Sequence, residues 1–564
     1  MRTLKALSAV LALGAMPLSA FAQQPAALSK AGIVDKIAAQ ERAEMQSLRQ
    51  YSPLVETYIQ NLRPDTQQGV VLDTDKYFLG RAHLAKGVEL EPLIHSTGNK
   101  RSIFGGLYGL FSMEYVPRGF LQMIFLDENG FDPQHYNFAY VHREFLGEVR
   151  CLVFDVDPLV KGQKGRFVGR IWVEDQDYHI VRFNGNYNGS SRTSYYFNFD
   201  SWRQNAGNNQ WLPTFIYSEE GRGQNSPTKN IAPQAFRAQT RLWGYALGHA
   251  QEEQELSKIM VESPVKDQTD AANDYSPLQA ERSWNRLAED NVAISLERIG
   301  LMAPRGEVDK VLETVVNNLE VTNNLDIEPE VRCRVLMTST LESFTMGHTI
   351  VVSRGLMDVL PDEASLAAIL AHELGHVALG HRMDTQFAFF NRLRFDEKET
   401  FRHFGFARTQ EEEQAANQKG IELLMQSPYK DQARSAQLFL QALQGRSKEI
   451  PNLISPHLGD RVPTNWTITS AMAVAQPSTA KPPANMVVAL PLGGRIKVEP
   501  WSDQLQLLKA KPVGAVAENE RMPFEVAPFV LYLTRQGASL AQGDSLSTET
   551  PGGVAAKADT DPKP

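Results

Sequence analysis

The chain has 564 residues, too many for one hydrophobic core, so several domains are expected. Its formal charge of −9, with no basic run, argues against nucleic acid as a partner. The two cysteines, Cys151 and Cys333, lie far apart and lack metal-ligand spacing; buried free thiols are the simple reading and a bridge between them the alternative.

The stretch "MRTLKALSAVLALGAMPLSAFAQQ" carries Arg2 and Lys5, a short apolar run interrupted by Pro17, and then Ala20-Phe21-Ala22. That is the layout of a secretory signal (1–22) cut after Ala22, so a periplasmic protein is expected. Losing Arg2 and Lys5 takes the charge from −9 to −11. No later stretch has the ~18 consecutive apolar residues of a membrane-spanning helix.

Residues 27–62 read as helix. Ile33, Ile37, Leu54, Val55, Tyr58, Ile59 and Leu62 recur at helical spacing, with a restart at Ser52-Pro53. From about Val70 to Tyr245 the pattern turns to strands. In "GRFVGRIWVEDQDYHIVRFNG", the runs Phe167 to Val173 and Tyr178 to Phe183 flank polar Glu174 to Asp177, which reads as a hairpin. "SYYFNFDSW" and "NQWLPTFIYSEE" continue the meander. The expected unit, 27–248, is a helix packed on a mainly antiparallel sheet. It resembles the half-barrel of lipoprotein-carrier and outer-membrane sensor domains, which implies contact with lipid or lipoprotein.

A polar, acidic linker (249–280) leads to a helix-rich region, 281–470. A second linker, 471–486, contains "VAQPSTAKPPAN". A small β-rich module, 487–536, contains "GGRIKVEP", "LQLLKAKP" and "APFVLYLTR". The tail, 537–564, has the composition of a disordered segment. The fold class expected is multidomain α+β.

Chemistry concentrates in "LPDEASLAAILAHELGHVALGH". Pro361, Asp362 and Glu363 suit a helix start, and the almost wholly apolar run beyond them predicts a buried helix. His372 and His376 stand about 40° apart around such a helix, on one face, where two imidazoles can bind one Zn²⁺. Glu373 lies about 100° from His372, beside the ion, which suits a general base. His381 falls about 180° away on a continued helix and reads as a structural or C-terminal histidine. A catalytic zinc needs a third protein ligand. In "EEEQAANQKGIELLMQSPY", Glu413, Ala416, Asn417 and Gly420 share one helical face. The small residues on it permit close approach and bring Glu413 to the metal. The alternative is that Glu411, Glu412 and Glu413 form a solvated acidic run.

The region from about Val331 to Pro463 resembles the family-48 zinc metallopeptidases, which include the CAAX prenyl protease and bacterial envelope proteases. The likeness rests on "TIVVSRGLMDVLPDEASLAAILAHELGHVALGH" and "EEEQAANQKGIELLMQSPYKDQARSAQLFLQAL". It implies a metallopeptidase domain over 281–470 with one Zn²⁺, Glu413 as third ligand, and a substrate edge presented by the strand in "HTIVVSRGL". Asn417 stands where the family has an Asp that orients a zinc-bound histidine. Ser455 stands where the family has a His, and nearby His457 reads either as a substitute oxyanion stabiliser or as a loop histidine on the surface. The expectation is an exported zinc endopeptidase acting on envelope polypeptides in quality control. Its rival is a lipid- or lipoprotein-binding periplasmic protein with a structural or weakly active zinc site.

Overall fold

A computed structural model describes residues 30–66, 69–93, 117–127, 130–160, 163–188, 197–220, 235–248, 277–381, 388, 404–461, 496–507 and 524–535, apart from 86, 164, 208 and 500. The signal sequence, the linker expected at 471–486 and the tail from 537 lie outside the described residues, as does nearly all of the linker expected at 249–280.

The N-terminal half opens with helix α1 (Lys30–Leu48). Ten antiparallel strands follow: β1 (Leu54–Asp65), β2 (Gly69–His83), β3 (Glu89–Pro92), β4 (Tyr136–Leu146), β5 (Val149–Pro158), β6 (Phe167–Glu174), β7 (Ile180–Tyr187), β8 (Asn198–Gly207), β9 (Gln210–Glu220) and β10 (Ala235–Trp243), with the short helix α2 (Pro117–Leu121) between β3 and β4. Their order in the sheet is β3-β2-β1-β10-β9-β8-β7-β6-β5-β4. The predicted hairpin is β6–β7, and the buried Glu174 carboxylate organises its turn by accepting from the backbone N–H groups of Gln176, Asp177 and His179.

The helix expected to reach residue 62 ends at Leu48; Leu54–Asp65 is instead a strand paired with β2 and β10. Its apolar residues are buried on both faces. Leu54 and Tyr58 enter one core, while Val55 and Ile59 enter another. Apolar pairs on alternate faces of a strand reproduce the i, i+4 spacing of a helix. The second of these cores joins one face of the sheet to α1 and residues 120–126.

In the second half, α3 (Pro277–Ile299) and α4 (Glu307–Thr322) precede β11 (Arg332–Leu336), β12 (Glu342–Met346) and β13 (Thr349–Ser353). Then come α5 (Arg354–Val359), α6 (Glu363–Ala378), α7 (Gln410–Met425), α8 (Ala433–Arg446), α9 (Pro451–Ile454) and β14 (Asp460–Arg461). The region expected to be helix-rich thus also holds a four-stranded sheet, in the order β11-β13-β12-β14. The "HTIVVSRGL" strand, β13, is no edge: it runs parallel to β11 and antiparallel to β12. The outer side of β12 is the more open, since β14 pairs only with Glu342 and Ser343.

The two halves share a core. Leu54, Tyr58, Tyr77, Leu79 and Trp243 of the large sheet pack in one cluster with Leu301, Leu341, Leu374 and Leu453. Polar contacts cross the same boundary. Glu56 accepts from Ser339 N and Oγ, each at 2.6 Å, and Asp75 accepts from the backbone N–H groups of Asn452 and Leu453 at 3.1 and 3.0 Å. Near the C-terminus, β15 (Ile496–Val498) pairs with β16 (Leu505–Leu507). Residues 527–535, expected as strand, contain no assigned strand, yet Leu533 O accepts from Glu148 N at 2.8 Å and its side chain packs with Trp202 and Trp211. Cys151 and Cys333 are buried free thiols, and burial pushes both up, Cys151 to about 12.

Candidate metal centre

Helix α6 starts where its sequence dictates. The Asp362 carboxylate caps it by accepting from Ser365 N at 2.8 Å, and Ala364 through Val377 are buried. His372, Glu373 and His376 are 1%, 2% and 1% exposed, so their polar atoms sit deep inside the domain. Helix α7 starts at a capping box: Thr409 Oγ1 accepts from Glu412 N while Thr409 N donates to Glu412 Oε2. The box occupies Glu412 and leaves Glu413 on the inner face.

The two helices cross closely. A Cβ added to Gly375 would meet Ala416 O at 2.7 Å, and one added to Gly420 would meet His372 Cα at 2.9 Å. Only glycine fits at either place. The crossing brings Glu413 to the histidines: His372 Nε2 lies 3.4 Å from Glu413 Oε2, His376 Nε2 lies 3.3 Å from Glu413 Oε1, and the two Nε2 atoms are 3.3 Å apart. Ligands at about 2.0–2.1 Å from a tetrahedral zinc lie about 3.3–3.4 Å from one another. The two nitrogens and the Glu413 carboxylate, each nitrogen facing a different oxygen of it, therefore converge at separations that suit the ligands of one zinc ion. Glu413 Oε1 is also a buried oxygen without a hydrogen-bond donor among the described residues, as expected of an atom that faces a cation. Among the described residues, this is the group of His, Cys, Asp or Glu side chains that could hold a metal.

The electrostatics agree. Burial favours a protonated Glu413, but its contacts with His372 and His376 outweigh it and hold the carboxyl down at about 2. Burial lowers His376 despite the Glu413 contact. Neutral imidazole and ionised carboxylate are the forms that bind a divalent cation.

Residues 304–425 match the profile described as Peptidase family M48. They carry an M48 domain. Two relatives from Escherichia coli (strain K12) match part of the chain. The metalloprotease LoiP is 35% identical over 98 residues, 17% of this chain and 37% of LoiP. The metalloprotease YcaL is 44% identical over 62 residues, 11% of this chain and 24% of YcaL. The chain thus spans well under half the length of either relative. Two solved structures resemble 37% of this chain at 11% identity: a lipoprotein-sorting protein domain from Vibrio parahaemolyticus, 88% covered with a TM-score of 0.19, and a LolA superfamily protein from Nitrosomonas europaea, 91% covered with a TM-score of 0.18. Scores that low carry no argument.

Other residues of the M48 domain fall into place around the triangle. Ser343 Oγ, on β12, donates to Glu373 Oε1 at 2.6 Å and fixes one carboxylate oxygen. Nothing in the sequence singles out this serine, because its partner lies 30 residues away. Asn417, one turn beyond Glu413, has a buried amide oxygen with no hydrogen-bond partner among the described residues. His381 does not stand on the far side of a continued helix. Helix α6 ends at Ala378, and His381 Nδ1 lies 2.8 Å from His376 Nδ1.

His457 follows the M48 match and faces the large sheet. Its ring stacks on Tyr77, with centroids 5.0 Å apart and planes at 22°. The N–H groups of His457, Leu458 and Gly459 donate to Glu342 Oε2 at 3.0, 3.1 and 3.2 Å. Burial lowers the His457 imidazole, and the carboxylates opposing that shift are Glu342 and Glu56. Ser455 Oγ is taken up by Pro451 O at 2.6 Å.

Proposed function

We propose that the protein is an exported zinc-dependent endopeptidase that hydrolyses polypeptides of the cell envelope in quality control. The observation that carries this reading is the convergence of His372, His376 and Glu413, with the two Nε2 atoms 3.3 Å apart and lying 3.4 and 3.3 Å from the two Glu413 oxygens, beside the buried Glu373. Export rests on the leader pattern of residues 1–22; among the described residues, no helix is long and apolar enough to cross a membrane.

A zinc ion held by the three residues supplies the positive charge that polarises a scissile carbonyl and acidifies water. Glu373 takes the proton of the attacking water and passes it to the leaving amine. Ser343 holds the Glu373 carboxylate in one rotation while this happens. Asn417, whose buried amide oxygen has no partner among the described residues, would orient a ligand imidazole more weakly than a carboxylate in its place. His457, stacked on Tyr77 between two carboxylates, serves the contact with the large sheet in this reading rather than an oxyanion.

Lipid or lipoprotein binding by the sheet is the weaker reading. Helix α1 and residues 120–126 pack on one face of it, and the cavity between α1 and β9 is only about 220 Å³ and lined by Glu44, His179 and Gln210.

Metal analysis with cleavage of an unfolded protein such as casein tests the proposal. Glu373→Gln is expected to keep its zinc and lose cleavage by about 10²–10⁴-fold. Unchanged cleavage in that variant would sink the mechanism. Full zinc occupancy in Glu413→Ala would remove Glu413 from the ligand set.

A further inference from the structure

We propose that His381 is a positioning residue for the zinc ligand His376, an inference that rests on the metal centre proposed above. Helix α6 does not simply stop after Ala378. Gly380 takes the left-handed conformation, with φ of +70°. Its N–H donates to Val377 O at 3.0 Å, and the His381 N–H donates back to His376 O at 3.1 Å. This pair of bonds is the Schellman closure of a helix C-terminus, which reverses the chain over the last turn. The reversal lays the His381 ring against the outer nitrogen of His376, Nδ1 to Nδ1 at 2.8 Å.

The consequence for the metal follows from the tautomers. His376 Nε2 faces His372 Nε2 and Glu413 Oε1, so its lone pair belongs to the ion. A neutral imidazole that ligates through Nε2 carries its proton on Nδ1. That proton is donated to His381 Nδ1, which therefore accepts, and His381 holds its own proton on Nε2. The bond does two things to His376: it selects the metal-binding tautomer and fixes the ring's rotation. A carbonyl or carboxylate commonly fills this place behind a metal-ligating histidine. Here a third imidazole fills it, delivered by a glycine turn.

The test measures zinc affinity by chelator competition on the full chain, with the absorption spectrum of the cobalt-substituted protein as a second readout. His381→Ala is expected to weaken zinc binding about 10–100-fold and to broaden the cobalt spectrum. In His381→Asn the amide oxygen stands at the same distance from the backbone as the histidine Nδ1 and can accept the same proton, so affinity is expected to return close to that of the parent. His381→Leu, which fills space without accepting, is expected to resemble the alanine variant. Thermal unfolding of the metal-free variants separates a loss of fold from a loss of ligand orientation. Parent-like affinity in His381→Ala overturns the inference, as does an asparagine variant no tighter than the leucine one. A parent protein that binds no zinc overturns the metal centre itself, and that outcome is seen before any variant is made.

Discussion

The N-terminal sheet unit and the M48 domain bury charge in opposite ways. In the sheet unit, Arg203 is fully buried and donates to Glu41 at 2.7 and 2.8 Å and to Glu44 at 3.0 Å. Glu44 also faces His179 Nδ1 and accepts from Trp211 N, each at 3.0 Å. The carboxylates of α1 are thus matched by a cation that β8 supplies. In the M48 domain, two imidazoles and a carboxylate converge, and no Lys or Arg among the described residues pairs with Glu413. A buried cluster closed by its own arginine holds a helix to a sheet. A buried cluster left open to a cation is built for a ligand.

The largest effect that would break this comparison lies in the closed cluster. Arg203→Met leaves Glu41 and Glu44 buried without their cation, a loss expected at about 3–5 kcal/mol. Urea unfolding in the presence and absence of chelator checks it. The same loss under both conditions marks the cluster as structural; a loss that vanishes when metal is removed would tie it to the zinc centre. Metal removal is the next largest. With free zinc at about 100 times its dissociation constant, the parent protein gains about 2.7 kcal/mol. Glu413→Ala is expected to gain little under the same conditions. Equal stabilisation of that variant would show that the ion binds elsewhere.

Half of this contrast could be read from the chain itself. The two helices that carry His372, His376 and Glu413 were legible because their information is local: Asp362 caps α6, and Ala416 and Gly420 repeat along the face of Glu413. The Glu41–Arg203 pair was not, since its partners are 162 residues apart and join only when the sheet forms. Strand β1 misled because its apolar residues serve two cores, and that pattern mimics a helix. The expectation that β13 presents an edge came from the family resemblance, and the run itself could not check it. A strand buried between two others reads as the same apolar run as a strand on an edge. His381 was misplaced by extending a helix past Gly380, although glycine there was the signal of a chain reversal.

Ser343 sharpens the comparison from inside the metal centre. Its hydroxyl belongs to the chemistry and not to the triangle of ligands. Ser343→Ala is expected to lower kcat about tenfold, equivalent to about 1.4 kcal/mol, while zinc content stays at the parent level. Loss of zinc in this variant would show that Ser343 supports the ligands rather than Glu373.

A last test concerns a buried acid that follows neither pattern. Asp503, in the β15–β16 hairpin, is pushed up to about 8 by burial, against the hydrogen bond it accepts from Gly244 N at 2.9 Å and with the Glu499 charge adding to the rise. It is matched by neither an arginine nor an ion, and a proton settles it instead. A carboxyl whose folded value lies above the unfolded value of about 3.9 favours the native state at low pH. That contribution is intact below about pH 4, declines as pH rises, and is gone above about 8. Asp503→Asn keeps an oxygen for the Gly244 N–H, cannot ionise, and tolerates the left-handed φ of 57° at this position. The melting temperature of the variant should therefore gain on that of the parent between pH 5 and pH 8 and run parallel to it above. Parallel curves across the whole range would mean that Asp503 ionises freely in the folded protein.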